Sequence, residues 1–211
     1  MMHLPEMALE EALREGECAL CWLAHRHLLR RVDTLFREHV NDPLWRQSLR
    51  EGKGLCAHHA ALVLSRADVL SLSIIAEDVL AHASLTAPSK RARSAWDCLL
   101  CDAQAHDVAQ AANLLAQLLR QAEWRTRYEA SKGLCLPHLR SVLRNATPEV
   151  QAWLIANERQ RWQTLRAQLQ EVIRKHDYRY QHEPWGDEVG SWKRAIRKIY
   201  GVFAEEVHHE R

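Results

Sequence analysis

The sequence predicts an all-α protein: two tandem helical metal-binding repeats, a long C-terminal helix and a terminal loop-helix. Three observations carry this. Ala, Leu, Arg, Gln and Glu dominate, and glycine (7) and proline (6) are few for 211 residues. No stretch alternates like a half-buried strand, while apolar residues recur at three- and four-residue intervals. All six cysteines fall in a phrase written twice.

The first copy is Cys18-Ala19-Leu20-Cys21 followed by Cys56-Ala57-His58-His59; the second is Cys98-Leu99-Leu100-Cys101 followed by Cys135-Leu136-Pro137-His138. The pairs are separated by 34 residues in the first copy and 33 in the second. Trp45-Arg46 and Trp124-Arg125 each stand 11 positions before the third cysteine, and Lys53-Gly54-Leu55 matches Lys132-Gly133-Leu134. This is the mark of a tandem duplication. Because Pro137 stands where the first copy has His58, the shared spacing is C-x-x-H, so His59 is the ligand candidate and His58 an accessory.

The segment MMHLPEMALEEALREGE is acidic and lacks an apolar core, so a secretory signal is not expected. After Cys21, Trp22, Leu28 or Leu29, Val32, Leu35 or Phe36, and Val40 follow helical spacing. Asn41-Asp42-Pro43 resets the chain, with Asp42 as cap and Pro43 at the first helical position. A short helix with Leu44, Trp45 and Leu49 should stop at Gly52 and Gly54. New helices are expected from Cys56 and over about 68–80. The second copy follows the same plan but lacks the Asn-Asp-Pro break, leaving its first two helices continuous or joined differently. Both ligand pairs thus fall at helix starts, where free N–H groups and partial positive charge favour thiolate.

Residues 84–95 read as a linker between repeats 1–83 and 96–158, and 159–211 as the C-terminal helix and loop-helix. Thr147 and Pro148 start a long helix. Residues 177–190 look irregular, and Ser191 is expected to cap a final helix bearing Trp192, Ile196, Ile199 or Tyr200, and Phe203.

Charge excludes little but is informative. With 29 basic and 27 acidic residues, the net charge of +2 is too balanced for a nucleic-acid protein. The run Lys90-Arg91-Ala92-Arg93 reads as solvated linker. No run approaches the ~20 apolar residues of a membrane span. The expected location is the cytoplasm, where cysteines serve as ligands or catalysts rather than disulfides.

Covalent haem needs C-x-x-C-H, but Trp22 and Asp102 follow the second cysteines. Thioredoxin-type redox needs a βαβ setting, which is missing. Buried free cysteines do not account for two matched sets. Metal binding remains. Cys18, Cys21, Cys56 and His59, with Cys98, Cys101, Cys135 and His138, supply two Cys3His sets, the donor number of a closed structural zinc site. Two Zn2+ ions are the expected cofactors; two iron–sulfur clusters are the alternative. Each C-x-x-C can combine with the C-x-x-H of its own repeat or of the other, and spacing leaves both open.

Residues 175–188, KHDYRYQHEPWGDE, are dense in functional groups. One reading is a binding or acid/base site using His176, Asp177, Tyr178, Arg179 and Glu183, with His176 also able to support a metal ligand. The other is a polar loop docking the last helix, with Trp185 and Tyr178 as packing anchors and Asp177–Arg179 as a surface pair. His25, His27, His39, His106, His208 and His209 read as surface residues.

The twin C-x-x-C…G-L-C-x-x-H phrases, followed by Lys175-His176-Asp177-Tyr178-Arg179, Glu183-Pro184, Gly186, Ser191-Trp192 and Arg194-Ala195, resemble an uncharacterised bacterial family of unknown function. The resemblance runs from about Cys18 to Tyr200. That family often carries proline inside its C-x-x-C; here the motifs are CALC and CLLC. No activity comes with the resemblance. It implies that the C-terminal stretch belongs to one unit with the metal repeats. The expected role is a cytoplasmic metal-binding interaction or assembly module with a protein partner. An iron–sulfur redox protein and a metal-supported enzyme using the 176–183 groups are the alternatives.

Overall fold

The structure, a computed structural model, describes residues 4–50, 54–66, 68–82 and 98–201. The expected linker 84–95, the stop at Gly52, Phe203, His208 and His209 lie outside them. Among the described residues there are ten α-helices and no strand, so the all-α expectation holds. Among these residues no helix is long and apolar enough to cross a membrane.

The helices are α1 (Leu4–Glu15), α2 (Ala19–Arg37), α3 (Pro43–Arg50), α4 (Ala57–Arg66), α5 (Val69–His82), α6 (Leu99–Leu118), α7 (Ala122–Ala130), α8 (Leu136–Asn145), α9 (Pro148–Lys175) and α10 (Ser191–Tyr200). The chain divides into two compact units. One comprises 1–24 and 108–211, the other 25–107. These boundaries cut across the sequence repeats. Helices α2 and α6 each contribute to both units.

In unit 25–107, Leu28, Val32, Phe36, Val63, Cys98 and Leu100 form the core. Trp45 stands edge-on to Phe36, with ring centres 5.4 Å apart. Asp42 caps α3 as its sequence suggests: Oδ1 accepts from the backbone N–H of Leu44 at 2.8 Å and of Trp45 at 3.3 Å. Asp78, buried, receives Arg46 and Arg50 at 2.8 and 2.6 Å. The Arg50 hydrogen bond outweighs burial and, with Arg46, holds this carboxyl at about 2.

In the other unit the core is larger. It takes Leu9, Ala12 and Leu13 from α1, a helix the sequence reading did not assign. Its spacing of three and four is the signal that was there to read. Thr147 caps α9, accepting from Val150 N–H at 3.5 Å. Without an Asn-Asp-Pro break, α6 and α7 still separate, at 119–121. Gly190, not Ser191, caps α10. It adopts φ +73°, the left-handed region natural to glycine, and Ser191 is the first helical residue, fully buried.

Candidate metal centre

Each C-x-x-C or C-x-x-H begins a helix in the same way. The carbonyls of Cys18, Cys56, Cys98 and Cys135 accept the first helical hydrogen bonds, from Trp22, Ala60, Asp102 and Leu139 at 3.0, 2.8, 3.1 and 2.8 Å. The first cysteine of each pair therefore stands at the cap and the second ligand three residues into the helix. Residues three apart on a helix share a face, so both donors of a pair point the same way, over the positive end of the helix dipole.

The pairs combine across the repeats. Cys18 and Cys21 at the start of α2 meet Cys135 and His138 at the start of α8. Cys56 and His59 at α4 meet Cys98 and Cys101 at α6. Each cluster lies wholly inside one compact unit. In each, the four donor atoms lie within 4.8 Å of one another. In the first cluster Cys135 Sγ is 3.6 Å from Cys18 Sγ and 3.7 Å from Cys21 Sγ. His138 Nδ1 lies 3.4, 3.2 and 3.2 Å from the sulfurs of Cys18, Cys21 and Cys135. In the second, Cys56 and Cys101 are 3.7 Å apart, and His59 Nδ1 is 3.3, 3.2 and 3.3 Å from Cys56, Cys98 and Cys101. All six cysteines are free, and these separations are far beyond the ~2.05 Å of a disulfide. Two Cys3His clusters thus exist that suit a metal ion.

The electrostatics of the bare clusters are in conflict. Burial opposes ionisation of Cys18, but hydrogen bonds from Cys135, Cys21 and His138 outweigh it and hold the thiol well below its usual range. Cys21 is pushed far up by Cys135 and Cys18, with burial adding. His138 rises to about 10 because the Cys135 and Cys18 sulfurs overcome burial. In the second cluster Cys98 is lowered, as backbone N–H groups of Cys56 and Cys101 outweigh burial. Cys101 is pushed up to about 12 by burial and by the Cys98 and Cys56 sulfurs. His59 is lowered by burial and by His58. Closely packed sulfurs cannot all ionise without a cation among them. A divalent ion removes that conflict.

The turn before Cys135 is held from both sides. Glu158 Oε1, on α9, accepts from Tyr128 Oη at 2.6 Å and Leu134 N–H at 3.1 Å. Lys198, on α10, donates to the carbonyls of Lys132 and Leu134 at 2.6 and 3.0 Å. Arg161 donates to the carbonyls of Ser131, Tyr128 and Glu129, closing the end of α7. At the end of α10, Gly201 turns with φ +70°, and a Cβ there would lie 3.1 Å from Cys135 Sγ. Its carbonyl accepts from Cys21 Sγ at 3.6 Å. The C-terminal stretch is thus built onto the first cluster. Sequence reasoning missed Glu158, Lys198 and Gly201, whose partners are remote in the chain.

The 176–183 groups meet one another and the end of α9. Asp177 accepts from Arg179 Nη2 at 2.7 Å, and Arg174 binds both Glu171 and Glu183. His176 Nδ1 lies 2.7 Å from the Val172 carbonyl. Trp185 packs beside His176, but Tyr178 is 77% exposed and anchors nothing; Tyr180, 4.6 Å beneath the Arg174 guanidinium, takes that part. The loop's real fastening is Lys175, which donates to Pro184 O and to buried Glu188 at 2.5 and 2.7 Å. Arg194 ties in the carbonyls of Asp187 and Val189. Lys175 and Arg194, both motif positions, therefore fold the loop together with Glu188.

A protein of Caldicellulosiruptor sp. (strain Rt8B.4), described as an uncharacterised 23.9 kDa protein in the xynA 3′ region, is 24% identical over 201 residues, covering 91% of this chain and 98% of its own. No solved structure matches. Residues 81–206 match a family of unknown function, DUF6062. That span holds one ligand pair of each cluster and the whole C-terminal stretch, and the chain belongs to the DUF6062 family.

Proposed function

We propose that this is a zinc protein, with one ion in each Cys3His cluster, whose metals fix helix starts so that the helical surface can serve as an interaction or assembly module in the cytoplasm. The convergence of four donor atoms on one point carries the reading. With Zn–S of ~2.3 Å and Zn–N of ~2.0–2.1 Å, a tetrahedron has S···S edges of about 3.8 Å and S···N edges of about 3.6 Å. The separations of 3.6–3.7 Å and 3.2–3.4 Å are close to both. A multi-iron cluster spreads its ligands over separate irons, so this compactness favours a single ion. Four protein donors leave no open position, which supports a structural rather than a catalytic ion. The duplicated segments 1–83 and 96–158 are then repeats that share ligands rather than separate metal domains.

The partner-facing surface in this reading is α10. Its inner side carries Ser191 and Ala195, while Trp192, Ile196, Ile199 and Tyr200 are 42–66% exposed. An exposed apolar stripe of this kind favours a protein partner. Elemental analysis of anaerobically purified protein tests the metal: two zinc ions per chain and no colour are expected, and a brown protein with iron and acid-labile sulfide would overturn it. Crosslinking in cell extract tests the module: one discrete product is expected, lost in Ile196→Glu, and equal products from both chains would overturn it.

A further inference from the structure

The first cluster is the better covered of the two, although Cys18, Cys21 and Cys135 line a small pocket and His138 is half-buried. Cys18, Cys21 and Cys135 are 5, 8 and 1% exposed, and Gly201 closes over the sulfurs of Cys21 and Cys135. In the second cluster Cys98 and His59 are buried, but Cys56 is half-buried and Cys101 exposed. Ligand exchange at zinc begins with an incoming donor, as four-coordination expands to five. Buried sulfurs slow that approach, and an exposed thiolate admits it.

Resting on the zinc reading above, we propose that the second cluster is a zinc-exchange site. Its ion passes to and from a thiol-rich acceptor by way of Cys101, while the first cluster retains its ion. In the first step a thiolate of the acceptor bonds to zinc as the Cys101 Sγ–zinc bond breaks. The released thiolate takes the proton that the incoming thiol gave up. The same replacement would follow at Cys56 and Cys98, and at His59 the displaced imidazole would take the proton of the last incoming thiol. Zinc remains Zn2+ throughout and no electrons move.

Native mass spectrometry first counts the zinc in the full-length protein. Excess 4-(2-pyridylazo)resorcinol then draws it out under native conditions. The expected course is two phases of one ion each, the faster by at least about tenfold, the scale on which surrounding groups alter metal sites. Cys101→Ser should leave only the slow ion bound after purification. Should that variant fail to fold, iodoacetamide labelling of the unaltered chain decides: Cys101 should be alkylated first, in step with loss of one zinc. Two ions leaving in a single phase, or Cys101 labelled no faster than Cys135, would overturn the inference and leave the zinc reading standing. A starting count of no zinc would overturn that reading itself, and this inference with it.

Discussion

Glycine 133 shows how much one position in the repeated K-G-L-C phrase must satisfy. Its φ of +76° lies in the left-handed region, and a Cβ there would fall 2.0 Å from Glu158 Oε1. Gly133→Ala therefore strains the backbone and displaces a buried carboxylate, and should cost about 1–3 kcal/mol in urea denaturation. That a glycine turns the chain before the ligand is legible in the sequence. The reason it cannot be replaced is not, because Glu158 stands 25 residues further on. Tyr128 makes the same point. It is fully buried, and burial together with the Glu158 charge raises its phenol well above the usual range, so it stays a donor. Tyr128→Phe deprives Glu158 of that bond and should lower stability by about 1–3 kcal/mol. Loss of less than 0.5 kcal/mol in equilibrium unfolding would refute the assignment.

Among the elements, the loop between α9 and α10 departs furthest from its appearance in sequence. Its conspicuous groups, His176 to Arg179, lie outward, whereas a lysine and a glutamate attract no notice until they are found buried together. Single-residue chemistry is visible in a sequence; the pairing of Lys175 with Glu188 across thirteen residues is a property of the folded loop. The Lys175 hydrogen bond, aided by the Gly186 N–H, holds the Glu188 carboxyl at about 2. A carboxyl lowered by folding stabilises the native state above its unfolded pKa of about 4.3, and that contribution disappears as pH falls through about 2. Amide exchange in α10 should be faster in Glu188→Gln than in the parent at neutral pH, with the difference closing between about pH 4 and 2. Protonation of the clusters is common to both chains and cancels in the comparison. Tyr178→Ala, by contrast, should leave unfolding within about 0.5 kcal/mol of the parent, as for a side chain that supports nothing.

For the molecule as a whole, the eight cluster-forming residues and the helical class were legible because both are periodic. The eight donors repeat at fixed spacing, and the apolar positions repeat every three or four residues. The partition of donors between centres was not. Either combination yields two Cys3His sets from the same residues, and only the path of the chain decides. Even so, the cross-repeat pairing has a consequence that local pairing lacks. Removing Cys21 breaks the centre it shares with Cys135 and His138, residues more than a hundred positions away, while Cys56 and His59 keep their partners. Structural zinc in small peptides contributes about 10–16 kcal/mol, against a typical domain stability of about 5–15 kcal/mol, so losing one ion is not a small perturbation. Cys21→Ser should therefore bind one zinc instead of two. Under brief iodoacetamide treatment with peptide mapping, Cys18 and Cys135 should become reactive, while Cys56 and Cys98 react as in the parent. If Cys56 were newly labelled and Cys135 stayed protected, the ligands would pair within each repeat, and the arrangement described above would be wrong.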